Sequence, residues 1–232
     1  MGDVTIRHVM FDYDGVFTKD DYAAVNDAFS ISSGLPVSRI EELIGRHEME
    51  WVCHPGNTER GPVGQRDNAR FLQNLINEFN FRGSPEEVVE LLNQRGDTGL
   101  YSELPNLERQ GIALSILSNQ LAYRVPFVRR QLEHRFGLKR FREVYFSPEI
   151  GLQKPFVGTP DQPINMDTSG VNIFPRAADD MRQLGYAPSE CLFVDDSEAN
   201  VVSARESGFQ ALLFTSVDQM KRDFANDYGI IL

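Results

Sequence analysis

Four short apolar runs, each stopping at polar or acidic residues, constrain the fold of this chain more than any other feature. They are Val9-Met10-Phe11-Asp12, the run from Ile112 to Leu117, Cys191-Leu192-Phe193-Val194-Asp195 and Ala211-Leu212-Leu213-Phe214. Hydrophobicity is continuous within each run rather than alternating, which predicts strands covered on both faces and hence a parallel sheet. A fifth, shorter run, Glu143-Val144-Tyr145-Phe146, predicts one more strand. Between the later runs lie stretches of helical period over 174–184, 198–206 and 217–225. Strand and helix in repetition predict an α/β fold built on a doubly wound, Rossmann-like parallel sheet.

The stretch from Val16 to about Leu100 breaks that rhythm, because it holds no buried-strand pattern. It carries helical patterns instead, one with Phe71, Leu72, Leu75, Ile76 and Phe79 on a single face. Another starts at Ser84-Pro85-Glu86-Glu87, where Ser84 caps, Pro85 takes the first helical position and Glu87 completes a capping box. A glycine-rich loop over 54–64 interrupts the segment. We therefore expect a core domain from 1–16 and 101–232, with a smaller helical cap domain, 17–100, inserted after the first strand. A chain of 232 residues is long enough for one substantial core plus such an insertion. Residues 156–170, rich in turn formers and without period, read as a loop.

The formal net charge is −11, so the surface repels nucleic acid and anionic lipid, and neither is expected as a partner. A small anionic substrate is not excluded, since a site can be locally positive within an acidic protein. No apolar stretch approaches the ~20 residues a membrane span needs, and the N-terminal residues do not read as a signal peptide. Cys53 and Cys191 make no disulfide framework, and Cys191, opening an apolar run, reads as a small core residue. The expected location is the cytoplasm.

The chemistry lies at the strand ends. Asp12 and Asp14 follow the first run, and Asp195 and Asp196 end the third. In an open parallel sheet, ligands bind beyond the carboxyl ends of the strands. Carboxylates gathered there raise one another's pKa unless a cation intervenes, and oxygen ligands suit a hard cation such as Mg2+. Taken singly these are strand-end or capping residues, and Asp196 and Ser197 are placed to cap the following helix. Ser118 and Asn119 end the Ile112 run ahead of a helix expected from about Tyr123, which makes an anion site. Lys154 stands in the loop after the fifth run, where its charge would balance the carboxylates.

Four segments then share one source. Phe11-Asp12-Tyr13-Asp14-Gly15-Val16, the Leu117-Ser118-Asn119 strand end, Gly151-Leu152-Gln153-Lys154-Pro155 and the run from Phe193 to Asn200 resemble, in order, the four motifs of the haloacid dehalogenase (HAD) superfamily. They look most similar to the branch of small-molecule phosphatases that includes the phosphatase domain of soluble epoxide hydrolases, which carry a helical cap after the first strand. The resemblance implies a Mg2+-dependent hydrolase. Asp12 would be the nucleophile. Asp14 would be the acid and base, with its backbone carbonyl on the metal. Ser118 and the Asn119 amide would bind phosphate, and Lys154 would neutralise charge on phosphate and nucleophile. Asp196 would ligate the metal directly, with Asp195 either ligating through water or orienting the site, and Asn200 supporting Asp196.

Asp14 and the aspartate pair favour attack at phosphorus over attack at carbon, because dehalogenases of this superfamily need neither. The expected substrate is a small phosphorylated molecule. A 2-haloacid dehalogenase, a phosphomutase and a non-catalytic binding protein are the alternatives. Arg46, Trp51, His54 and Arg60 in the insertion read as packing or solvated residues rather than substrate contacts, and Cys53-His54 is too isolated for a zinc site. The C-terminal run from Tyr228 to Leu232 reads either as a packed tail or as an interface strip.

Overall fold

The computed structural model describes residues 5–19, 22–43, 73, 76–93, 95–120, 124–154 and 172–232. The loop over 156–170, Tyr123, Phe71, Leu72 and Leu75 of the helical face, and Arg46, Trp51, Cys53, His54 and Arg60 lie outside the described residues.

The first strand, β1 (His8–Phe11), is followed by a two-residue strand, β2 (Thr18–Lys19). The inserted segment begins with helix α1 (Tyr22–Ser33), has further helical turns over 37–43, and ends with α2 (Pro85–Leu92). Strand β3 (Gly96–Asp97) then pairs antiparallel with β2, so the two crossings between core and insertion run side by side. After it come α3 (Leu104–Arg109), β4 (Ala113–Ser118), α4 (Val125–Arg135), β5 (Phe141–Phe146) and the single turn α5 (Ser147–Ile150). The chain closes with α6 (Ile173–Gln183), β6 (Cys191–Asp195), α7 (Glu198–Glu206), β7 (Gln210–Leu213) and α8 (Val217–Tyr228).

The main sheet has the order β5-β4-β1-β6-β7, and its pairings are parallel. Continuous apolar runs suit it because both faces are covered. Val9 and Phe11 join Leu192 and Val194 in one core layer with Val128 and Leu132 of α4 and Phe224 of α8. Met10 and Phe193 turn the other way, onto Phe174 and Met181 of α6 and Val201 of α7. Cys191 is buried in this second layer, as its neighbours predict. The insertion has a hydrophobic cluster of its own, including Val25, Phe29, Ile40, Phe79 and Val88.

Local signals set the helix starts. The expected capping box forms at α2, with Glu87 N–H donating to Ser84 Oγ and the Glu87 carboxylate accepting from Ser84 N–H. The helix expected from about Tyr123 starts at Val125, where Pro126 fits the first turn. The cap at α7 differs from expectation. Ser197 makes no side-chain cap, and its own N–H donates instead to Asp195 Oδ1 at 2.8 Å. The C-terminal run is a packed tail: Ile230 is buried in the first core layer, and Ile231 exchanges backbone hydrogen bonds with the Gln110 amide.

Candidate active site

With β1 in the centre and β4 and β6 on either side, the sheet brings three strand ends together. Asp12 leaves β1, Ser118 ends β4 and Asp195 ends β6. Asp12 is held in line by its backbone N–H, which donates to Val194 C=O at 2.9 Å. Lys154 arrives from the loop after α5. The Asn119 side chain fixes that loop in both directions, accepting from Lys154 N–H at 2.8 Å and donating to Lys154 C=O at 3.2 Å. Asn119 is thus a brace for Lys154, a role its sequence position did not suggest.

The Lys154 ammonium lies 2.6 Å from Asp12 Oδ2 and 2.6 Å from Asp195 Oδ2, with all three side chains buried. The other Asp195 oxygen accepts from Ser197 N–H and from Asn200 Nδ2 at 2.9 Å. Asn200 therefore supports Asp195 and not Asp196. One turn into α7, its amide faces the buried strand end rather than the more exposed neighbour.

Asp12, Asp195 and Asp196 can each place one oxygen within 4.8 Å of the others. Three carboxylates against the one Lys154 ammonium leave an excess of negative charge. Burial raises the Asp12 carboxyl, Lys154 opposes that and Asp195 adds to it, with a net position of about 8. Asp196 is also raised, by burial and then by the Asp195 charge. Both Asp195 oxygens are engaged by protein donors. Asp196 is exposed and so offers the more open carboxylate. Hard oxygen donors with unbalanced charge fit a divalent cation such as Mg2+.

Asp14 does not join this group. Its carboxylate receives a bidentate pair from Arg124, Nη1 to Oδ2 at 2.7 Å and Nη2 to Oδ1 at 2.9 Å. Gln120 Nε2 donates to Oδ2 at 2.8 Å and Thr18 Oγ1 to Oδ1 at 3.3 Å. Arg95 Nε stands 3.9 Å away. Burial pushes the Asp14 carboxyl up, but Arg124 outweighs it, and with Arg95 and Gln120 brings it down to about 2. Gln120 Nε2 also donates to Ser118 Oγ at 3.0 Å, so one amide bridges two strand ends. Arg95, Gln120 and Arg124 were absent from the sequence reading. Gln120 and Arg124 follow Ser118 within one strand-end segment, and that proximity was the available signal; nothing marked Arg95.

The parallel sheet with β1 at its centre, flanked by β4 and β6, is the fold of solved HAD family enzymes. Solved structures share the architecture. The HAD family enzyme bt-2542 from Bacteroides thetaiotaomicron superposes with a TM-score of 0.67 at 20% identity, covering 95% of this chain and 98% of that one. The same wild-type enzyme in complex with magnesium and inorganic phosphate gives 0.63 at 19% identity, over 91% and 96%. A predicted HAD-like family hydrolase from Porphyromonas gingivalis gives 0.62 at 21%, over 94% and 97%. Among curated proteins, Phosphatase MT3486 of Mycobacterium tuberculosis (strain CDC 1551 / Oshkosh) is 26% identical over 230 residues, covering 97% of this chain and 94% of that protein. No family profile matches the chain. Among the described residues, no helix is long and apolar enough to cross a membrane.

Proposed function

We propose that the protein is a Mg2+-dependent phosphohydrolase acting on a small phosphorylated metabolite through an aspartyl-phosphate on Asp12. The observation that carries this reading is the buried Asp12–Lys154–Asp195 arrangement with Asp196 beside it. Similarity to a curated phosphatase, and to a HAD family enzyme solved with magnesium and inorganic phosphate, supports it.

Asp12 attacks phosphorus, with Lys154 holding its carboxylate and drawing charge from the phosphoryl oxygens. Ser118 and the Asn119 backbone amide bind the transferring group. Asp14 is the proposed acid and base, a role that requires the Arg124 pair holding its carboxyl at about 2 to open when substrate binds. Asp196, Asp12 and the Asp14 backbone carbonyl would hold the cation, with Asp195 beside them orienting Lys154. Bound there, Mg2+ would neutralise charge developing on the phosphoryl oxygens and orient them. Residues 17–100 form the cap that selects the substrate.

Hydrolysis of p-nitrophenyl phosphate, with Mg2+ and with chelator, tests the reading on wild type and Asp12→Asn. Metal-dependent phosphate release that the substitution abolishes is expected. Chloride release from a 2-haloacid without metal would instead establish the dehalogenase alternative, and binding of phosphate esters without turnover the non-catalytic one.

A further inference from the structure

Strands β4 and β5 pair as far as Ser118 and Phe146, the last residue of each. Beyond that point side chains continue the pairing. Ser147 Oγ accepts from Gln120 N–H at 3.0 Å and donates to Gln120 C=O at 3.3 Å. At the other end of the loop, Asn119 does the same for Lys154, accepting from its N–H and donating to its C=O. The segment that follows Ser118 thus grips the loop on both sides of α5. Other ties lead elsewhere: Gln153 C=O accepts from Ile173 N–H at 2.9 Å, and Glu149 pairs with Arg129 at 2.6 Å on the surface.

We infer that Ser147 and the Asn119 side chain are positioning groups that together set the place of the Lys154 ammonium. The inference rests on the phosphohydrolase reading, in which that ammonium faces both Asp12 and the phosphoryl group. Each end of the loop needs a group that donates and accepts at once, and among small side chains only a hydroxyl or a carboxamide does both. Alanine at either site would leave a backbone N–H and a C=O without partners. A lysine ammonium stands at the end of a flexible four-carbon stem, so its place depends on a fixed backbone at the root. In the same reading Ser118 and the Asn119 amide hold the phosphoryl group. Cation and anion site are therefore registered against each other through one strand end. A shift of ~1 Å in the Lys154 backbone would be felt at the reacting centre as a loss of about 100-fold.

A positioning clamp and a structural staple differ in where the loss appears. Lys154 offsets charge that grows in the transition state, so misplacing it lowers kcat more than it raises KM. With p-nitrophenyl phosphate and Mg2+, Asn119→Ala should lose about 100-fold in kcat and Ser147→Ala about 10-fold. Ser147→Thr, which keeps the hydroxyl, should recover most of the Ser147→Ala loss. Glu149→Gln, which frees the same loop from Arg129, should stay near wild type.

A second readout needs no turnover. Lys154, 2% exposed, is the buried one among four lysines. In NMR spectra of protein carrying isotope-labelled lysine, its ammonium should exchange with water slowly enough to be seen, and Lys154→Met identifies the signal. The signal should broaden or vanish in Asn119→Ala and persist in Glu149→Gln. If Asn119→Ala fails to fold, the Ser147 pair decides alone. Unchanged kcat per folded enzyme in both alanine variants, an equal loss in Glu149→Gln, or an ammonium signal missing from wild type or unchanged in the variants overturns the inference. Wild type that hydrolyses nothing fails the phosphohydrolase reading instead, and the ammonium signal then decides whether the clamp places Lys154.

Discussion

Lys154 is a cation 2% exposed, shared between two carboxylates at 2.6 Å. Burial lowers its pKa, but Asp12 and Asp195 outweigh that and hold it at about 12. Lys154→Met would leave two carboxylates facing each other without their cation, a loss on the order of 3–5 kcal/mol for a broken buried pair. Urea unfolding at pH 7 should show that loss, reduced when Mg2+ is added, and phosphatase activity should disappear. His8 gives a separate test in the centre of the sheet. Its Nε2 meets Ser115 Oγ at 2.8 Å, while Nδ1 is buried without a partner. Burial, then the Arg142 charge, lowers its pKa from 6.5 to about 4. The unfolded chain thus takes up a proton near pH 6.5 that the folded chain refuses until about pH 4. The associated stability is present above pH 6.5 and is lost as pH falls from there to about 4. The loss amounts to about 3 kcal/mol. His8→Gln should flatten that part of the stability profile measured by urea midpoints.

At the level of elements, the turn after β1 and the loop after β6 are fitted to each other at Gly15. Its φ is +76°, and a Cβ there would lie inside the Asp196 carboxylate. Gly15→Ala therefore strains the backbone and displaces a proposed metal ligand at once. It should cost on the order of 1 kcal/mol or more in stability. It should also raise the Mg2+ concentration for half-maximal activity by about 10-fold, roughly 1.4 kcal/mol of binding. The strands of the main sheet were legible because burial on both faces demands continuous apolar residues, as in Cys191–Asp195. Strand β5 was read short because Arg142 is exposed at its open edge of the sheet, which broke the apolar run before Phe141. The β2–β3 ribbon escaped notice because two-residue strands with Lys19, Gly96 and Asp97 exposed carry no hydrophobic signal.

For the whole molecule, a net charge of −11 and an acidic site make the fold sensitive to a bound cation. Mg2+ at 100 times its dissociation constant would stabilise the folded state by about 2.7 kcal/mol. For a chain of this size that corresponds to a rise in Tm of roughly 5–10 °C. Thermal unfolding with Mg2+ and with chelator should show the rise in wild type and little of it in Asp196→Asn. Asp12, Ser118 and Asp195 were legible as a group because each stands at a strand end, where the topology of a parallel sheet collects them, and Lys154 because it lies in the loop that follows β5 and α5. Arg124, Gln120 and Asn93, whose Oδ1 accepts from Arg124 Nε, were not, since a polar contact between a strand-end segment and the end of an inserted helix leaves no periodic trace. The central place of β1 also has a consequence for biosynthesis. Asp12 is made well before its neighbours on β4 and β6, which follow far later in the chain. At ~5–20 residues per second, roughly 10–40 s of translation separate Asp12 from Asp195. Through that interval the apolar strand His8–Phe11 has no finished sheet to enter, and the nascent chain stays inactive until β6 has emerged from the ribosome.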